Sequence, residues 1–110
     1  MPNLRNFYSR QNIFIEQIRA SYPSAQIICA FGPMLKDSYP AGQYALSTTR
    51  SYMSDLLALR RSRGDTRVRL LEFPEQRATN GYGCSFHPSQ ITHQLMATQL
   101  NEAIKQMMGW

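Results

Sequence analysis

The sequence predicts an α/β fold in which helices and parallel strands alternate in the order α-β-α-β-α. Three segments carry apolar residues three and four positions apart, which indicates amphipathic helices. Two short segments rich in apolar residues lie between them, the first closed by Gly32-Pro33 and the second by Pro74, which is typical of strands. Because parallel strands need a crossover connection, a helix between two strands favours a parallel pair. A chain of 110 residues is long enough for one modest core, so we expect a single domain over residues 1–110.

The first predicted helix covers residues 4–21, and Tyr22 ends it because the residue before Pro23 is pushed out of the α region. Residues 25–31 form a nearly continuous apolar run, which predicts a strand buried on both faces. A loop without periodicity follows, over residues 34–43. The apolar stripe of the first helix comprises Leu4, Phe7, Tyr8, Phe14, Ile15, Ile18 and Tyr22.

The second predicted helix covers residues 44–63, and Gly64 suits a left-handed cap at its C-terminal end. The second strand covers residues 66–73. Ser89 is a suitable N-cap for a third helix that reaches Met108. The residues predicted to face inward are Leu46, Met53, Leu56, Leu57 and Leu59 on the second helix, and Ile91, Leu95, Met96, Leu100, Ile104 and Met107 on the third.

The chain is basic, with 12 Lys and Arg against 7 Asp and Glu, and this charge raises the alternative of nucleic-acid binding. No aromatic residues are interleaved with the basic cluster to stack on bases, and no recognition motif accompanies it. The simpler interpretation places these charges at the end of one helix and along the next strand, so nucleic acid is not favoured as a partner. The cluster comprises Arg60, Arg61, Arg63, Arg67 and Arg69.

Composition argues against several other classes of protein. Cys29 and Cys84 fit neither a zinc-binding spacing nor a disulfide framework, so we expect no metal and no cofactor. No apolar run approaches the roughly 18 residues that a membrane span requires, so no membrane partner is expected. The N-terminus does not resemble a signal peptide, which makes a cytoplasmic location the default expectation.

The loop before the third helix holds the candidate chemistry. His87 follows the end of a strand and precedes a helix N-terminus, and ligands of open α/β sheets bind at that end of the strands. A histidine there can act as a general base when a nucleophile lies within reach, or it can simply cap or pack the loop. His93 lies one turn into the helix and is expected to be a packing or surface residue.

This loop and its surroundings resemble a known family. Residues 87–97 are similar to the His-Pro block of SGNH/GDSL-type esterases, and the resemblance is strongest to the acetyl esterases of carbohydrate esterase family two, which deacetylate polysaccharides such as xylan. Residues 22–34 and 104–110 also resemble the matching segments of those enzymes. The resemblance spans nearly the whole chain but only the C-terminal half of that fold. It implies a partial three-layer α/β/α, flavodoxin-like structure, and related esterases are often secreted.

The resemblance implies a serine hydrolase in which His87 activates the nucleophile and an acetylated carbohydrate or a similar ester is the substrate. The family's Gly-Asp-Ser nucleophile block and its Gly-x-Asn-Asp oxyanion block are absent, and Asp37-Ser38 lacks the preceding glycine. The positions that supply a carboxylate in relatives hold Cys84 and Ser85. Some relatives use a Ser-His dyad in which the histidine is hydrogen-bonded to a backbone carbonyl instead of a carboxylate.

We therefore expect a site built around His87 that lacks its own nucleophile and is inactive in isolation. An alternative is a non-catalytic oligomeric or ligand-binding protein derived from the same fold. The first strand has at most one neighbour in this chain, and an open apolar edge recruits another chain. Hence we expect a homo-oligomer, or binding of a missing N-terminal half. The other residues expected near His87 are Gly32, Pro33, Met34, Gly83, Cys84 and Ser85.

Overall fold

The computed structural model describes residues 4–110, and it describes side chains from residue 6 onward, so Leu4 of the predicted stripe lies outside the described side chains. The predicted α/β class and element order are confirmed. Both strands are shorter than predicted, and the helices agree with prediction to within one residue. The elements are α1 (Leu4–Ser21), β1 (Ile27–Phe31), α2 (Ala45–Ser62), β2 (Val68–Glu72) and α3 (Gln90–Met108).

The strands β1 and β2 are parallel, as predicted. The Ile27 N–H donates to the Arg67 carbonyl at 2.8 Å, and further along the Phe73 N–H donates to the Phe31 carbonyl at 2.8 Å. Residue numbers therefore rise in the same direction on both strands. Gly32 follows β1 with φ +88°, and a Cβ on it would clash with the Phe73 carbonyl oxygen. Only glycine permits this close approach where the strands end.

Within residues 4–110, the chain up to Cys29 together with Asp37–Leu70 forms one compact unit. Here α1 packs against α2, and the aromatic rings of Phe7 and Tyr52 meet edge to face with centroids 6.3 Å apart. The heptad-like apolar spacing of both helices explains this packing, since each presents one apolar stripe. The buried apolar residues of this unit are Ile15, Met53, Leu56 and Val68.

The same unit contains a network of ion pairs, of which Arg19, Arg60 and Asp65 are largely buried. The Asp65 carboxylate accepts hydrogen bonds from the guanidinium groups of Arg19, at 2.9 Å, and Arg60, at 2.8 Å. Arg60 also pairs with Glu16, which in turn lies 3.3 Å from Arg63. The hydrogen bond from Arg19, followed by that from Arg60, lowers the pKa of Asp65 to about 2, against the opposing effect of burial. Part of the basic cluster therefore stabilises the fold.

The second compact unit comprises Ala30–Lys36 and Leu71–Trp110. Its helix α3 begins as predicted, because the Ser89 hydroxyl accepts a hydrogen bond from the Thr92 N–H at 3.2 Å. The buried apolar residues of this unit are Leu71, Phe73 and Ala103.

The prediction that α3 buries its whole apolar stripe is wrong. Ile91 and Leu95 are 53% and 55% exposed, and the other four residues named for this face are half-buried or exposed. The buried face instead contains Thr92 and Ala103, with Gln99 donating to the Glu72 carbonyl at 3.0 Å. Periodicity identifies the apolar face of a helix, but the packing partner decides which flank of that face is covered.

The prediction that β1 is buried on both faces is also wrong. None of its five residues is buried and Ala30 is exposed, since β2 is the only strand that pairs with β1 among the described residues. Of the apolar stripe predicted for the first helix, Phe14 on α1 and Tyr22 just after it are 57% and 67% exposed. No helix in the described part of the chain is long and apolar enough to cross a membrane.

Candidate functional site

Residues 82–88 form a closed turn that contains His87. Tyr82 and Pro88 pair as an antiparallel bridge, the Gly83 N–H donates to the His87 carbonyl at 2.7 Å, and the His87 N–H donates to the Cys84 carbonyl at 3.0 Å. The backbone on both sides of His87 is therefore fixed by hydrogen bonds.

This turn is strained at two consecutive residues. Ser85 has φ 51° and Phe86 has φ 59°, both in the left-handed region. For residues other than glycine, this conformation costs about 1–2 kcal/mol each. Such strain persists only where surrounding contacts impose it, and it is concentrated at functional sites.

The His87 ring is oriented by a backbone carbonyl. Its Nδ1 lies 2.8 Å from the Cys84 oxygen. Because a carbonyl oxygen only accepts hydrogen bonds, Nδ1 carries a proton, and in the neutral ring Nε2 keeps its lone pair. The side chain of His87 is exposed. The Cys84 carbonyl thus orients the ring as a carboxylate does in a catalytic triad, although it adds no negative charge.

Gln76 belongs to this site and was not predicted from the sequence. Its side-chain Nε2 donates to the Phe86 carbonyl at 2.5 Å, and its backbone N–H donates to the Pro33 carbonyl at 3.0 Å. It also lines a groove of about 320 Å³ together with Asn80 and Thr92. The only signal in the sequence is its position beyond the end of a strand, two residues after a proline.

The predicted site residues fall into two groups. Gly83, Cys84 and Ser85 share the turn with His87, and all four are exposed. The residues after β1 form the second group, and Gln76 connects them to the turn through its hydrogen bond to the buried Pro33. Gly32 lies against Phe73, and Met34 is 45% exposed.

Ser89 and Asp37, the residue before Ser38, make hydrogen bonds with groups other than the His87 ring. Ser89 donates to the Asn80 carbonyl at 2.7 Å while it caps α3. Asp37, which precedes Ser38, accepts from the Ser47 N–H at 2.8 Å and from its hydroxyl at 2.5 Å; these bonds lower the Asp37 pKa. Among residues 6–110, no serine hydroxyl is hydrogen-bonded to the His87 ring.

Exposed aromatic side chains flank His87. The rings of Tyr82 and Phe86 meet edge to face with centroids 5.8 Å apart. Phe86 is 71% exposed and Tyr82 is 44% exposed. His93, as expected, is a surface residue of α3. No group of three His, Cys, Asp or Glu side chains suited to a metal ion occurs in the described part of the chain.

Comparison with known proteins identifies the fold that contains this turn. No family model matches the chain. The chain is 38% identical over 104 residues to the cellulase/esterase CelE of Acetivibrio thermocellus. This alignment covers 94% of this chain and 12% of CelE. The chain is 37% identical to a family two carbohydrate esterase from Clostridium thermocellum solved in complex with cellohexaose, with a TM-score of 0.87 over 98% of this chain and 31% of that chain.

A third comparison supports the fold alone. A family two enzyme with a carbohydrate binding domain from Corynascus thermopiles is 24% identical and has a TM-score of 0.87, again over 98% of this chain and 31% of that chain. The chain therefore spans about an eighth of CelE and less than a third of these solved structures. The predicted likeness to part of a flavodoxin-like fold is confirmed. Over nearly its whole length, the chain is similar to part of the carbohydrate esterases of family two.

Proposed function

We propose that this chain supplies the catalytic histidine of a serine esterase of the SGNH/GDSL type that removes acetyl groups from polysaccharides. The observation that carries the proposal is the hydrogen bond between His87 Nδ1 and the Cys84 carbonyl, which leaves Nε2 free to accept a proton. The family two relatives, CelE among them, support ester hydrolysis as the reaction.

The proposed chemistry needs a serine hydroxyl, and among residues 6–110 none is hydrogen-bonded to the His87 ring. His87 Nε2 takes the proton of that serine hydroxyl while the serine oxygen attacks the ester carbonyl. The imidazolium then returns the proton to the departing sugar oxygen, which leaves an acetyl-serine. Water, deprotonated by the same Nε2, releases acetate and restores the serine. The Cys84 carbonyl holds the ring in the required tautomer throughout.

The surroundings of His87 suit a carbohydrate substrate. The exposed rings of Phe86 and Tyr82 offer an apolar surface beside the base, and aromatic rings supply large contact areas to the faces of sugar rings. The Clostridium thermocellum relative was solved in complex with cellohexaose, which supports a glycan as the ligand here.

The isolated chain is expected to hydrolyse nitrophenyl acetate only at the slow rate of a surface imidazole. Without a positioned nucleophile and oxyanion hole, the several orders of magnitude that these groups provide are missing. Steady-state kinetics on the purified chain measures this rate. Saturable turnover that a serine-directed organophosphate abolishes would contradict the expectation and direct the search to Ser38, Ser85 and Ser89.

The exposed apolar surface supports a second part of the proposal: the chain associates either with another copy of itself or with the rest of the esterase fold. The strand β1 pairs on one edge only among the described residues, and an open edge is a template for a further strand. Phe14, Ile91 and Leu95 are each more than half exposed. Apolar area of this kind favours association over a lone monomer. A non-catalytic oligomeric or ligand-binding protein is the alternative function that this surface favours.

Analytical ultracentrifugation at low micromolar concentration tests this association. We expect the purified chain to sediment as a homo-oligomer, most simply a two-fold dimer, because the open β1 edge and the exposed helix faces are then covered. If the chain instead sediments as a monomer, it is expected to form a complex with the remaining portion of the CelE esterase fold. A well-folded monomer with sharp thermal unfolding that binds no such portion would contradict the expectation.

A further inference from the structure

We propose that Gln76 is a positioning residue that fixes the His87 ring in its Nδ1–H form, a role that rests on the proposed function of His87 as a base. The Phe86 carbonyl and the His87 N–H belong to the same peptide unit. Gln76 Nε2 donates to the carbonyl at 2.5 Å, while the His87 N–H donates to the Cys84 oxygen at 3.0 Å. This peptide unit is therefore held at both ends.

The peptide unit needs such support because it follows two left-handed residues. Ser85 and Phe86 occupy the left-handed region at a cost of about 1–2 kcal/mol each, and a relaxation of their φ angles would rotate the peptide unit that follows them. The same rotation would turn the His87 N–H away from the Cys84 oxygen. Since that oxygen accepts both from the His87 N–H and from Nδ1, losing the first contact disturbs the second.

Gln76 is itself anchored beyond β2. Its backbone N–H donates to the carbonyl of Pro33, a buried residue just after β1. The donor to Phe86 therefore starts from a fixed point at the end of the strand, and the orientation of the side-chain amide is determined as well. The reverse orientation would place Oε1 against the Phe86 oxygen, and two acceptors do not bond.

The Oε1 atom of Gln76 shows that the hydrogen bond to the Phe86 carbonyl is maintained at a cost in free energy. Oε1 is buried and has no hydrogen-bond partner among the described residues. A buried acceptor without a donor is unfavourable, so a side chain that served packing alone would be better replaced by an apolar one of the same shape. Gln76→Met removes both the unpartnered oxygen and the donor to Phe86. Because Phe86 is exposed, water can then satisfy its carbonyl.

The test is the tautomer of His87 in the ¹⁵N-labelled chain, measured by long-range ¹H–¹⁵N correlation at about pH 8, where imidazole is neutral. The wild-type chain is expected to show His87 with Nδ1 protonated. In Gln76→Met the Nδ1–H form is expected to fall from the major to the minor form. The exposed His93 provides an internal reference whose tautomer does not change, since it lies outside the turn.

Gln99→Met is the matched control, because Gln99 also donates from Nε2 to a backbone carbonyl, that of Glu72, at 3.0 Å. It is expected to leave the His87 tautomer unchanged. If Gln76→Met unfolds the chain, Gln76→Glu keeps the shape and likewise has no donor at this pH. Unfolding of both variants, an unchanged His87 tautomer in a folded variant, or an equal change in Gln99→Met would overturn the role of Gln76. A wild-type His87 without the Nδ1–H form would instead contradict the proposed function.

Discussion

Replacing Asp65 by alanine is expected to lower the free energy of unfolding by about 3–5 kcal/mol. The carboxylate receives two hydrogen bonds from Arg19 and two from Arg60, and the three side chains are 10%, 12% and 5% exposed, respectively. Without Asp65, two buried guanidinium groups lose the anion that lies between them. Urea unfolding followed by circular dichroism measures the loss.

A second carboxylate provides the control for this prediction. Glu102 lies 3.8 Å from Lys105 on the surface of α3, and both side chains are more than half exposed. Exposed pairs of this kind contribute about 0–1 kcal/mol, so Glu102→Ala is expected to change stability little. If Asp65→Ala costs no more than Glu102→Ala, the ion-pair network does not stabilise the fold.

The Asp65 carboxylate also makes the free energy of unfolding depend on pH in the acid range. The pKa of Asp65 is about 2 in the folded chain, below its ordinary value of 3.8. Its contribution is therefore complete above about pH 4 and is lost as the pH falls through about 2. The gap between the two values corresponds to about 2 kcal/mol. Asp65→Asn is expected to remove this part of the pH dependence, measured as the unfolding free energy between about pH 2 and 5.

Local signals in the sequence predicted the elements, and long-range contacts decided how they are buried. The bounds of α1 and the Ser89 cap of α3 depend on neighbouring residues, and both are confirmed. The burial of Ile91 and Leu95 depends on what covers the far flank of α3, which periodicity does not contain. The prediction that β1 is buried on both faces is wrong for the same reason.

At the candidate site, too, local signals in the sequence predicted only a part of the structure. The sequence and the family resemblance located His87 and its turn, and the resemblance offered a backbone carbonyl as the partner of the ring without indicating which one. The partner is the Cys84 backbone carbonyl, whose direction depends on the left-handed backbone of Ser85 and Phe86. No residue preference predicts that conformation at serine and phenylalanine.

The second large effect concerns His87 in a complete esterase. Replacing the matching 104 residues of CelE by this chain gives a chimera in which the rest of the esterase fold is present. We expect this chimera to hydrolyse nitrophenyl acetate, and His87→Ala to lower its kcat by about 10⁴-fold or more. Removal of the base leaves the serine hydroxyl protonated, and loss of a catalytic histidine has effects of this order in serine hydrolases.

A comparison of kcat/KM values is the decisive test of whether this chain carries the base of an esterase. It is measured for the chimera, for its His87→Ala variant and for its His93→Ala variant. His93 is the matched control, since it is an exposed histidine of α3 six residues further along the chain. We expect an active chimera, loss of activity in His87→Ala and unchanged activity in His93→Ala. A folded chimera that is no faster than the isolated chain, or an active chimera that keeps its rate in His87→Ala, would contradict this expectation.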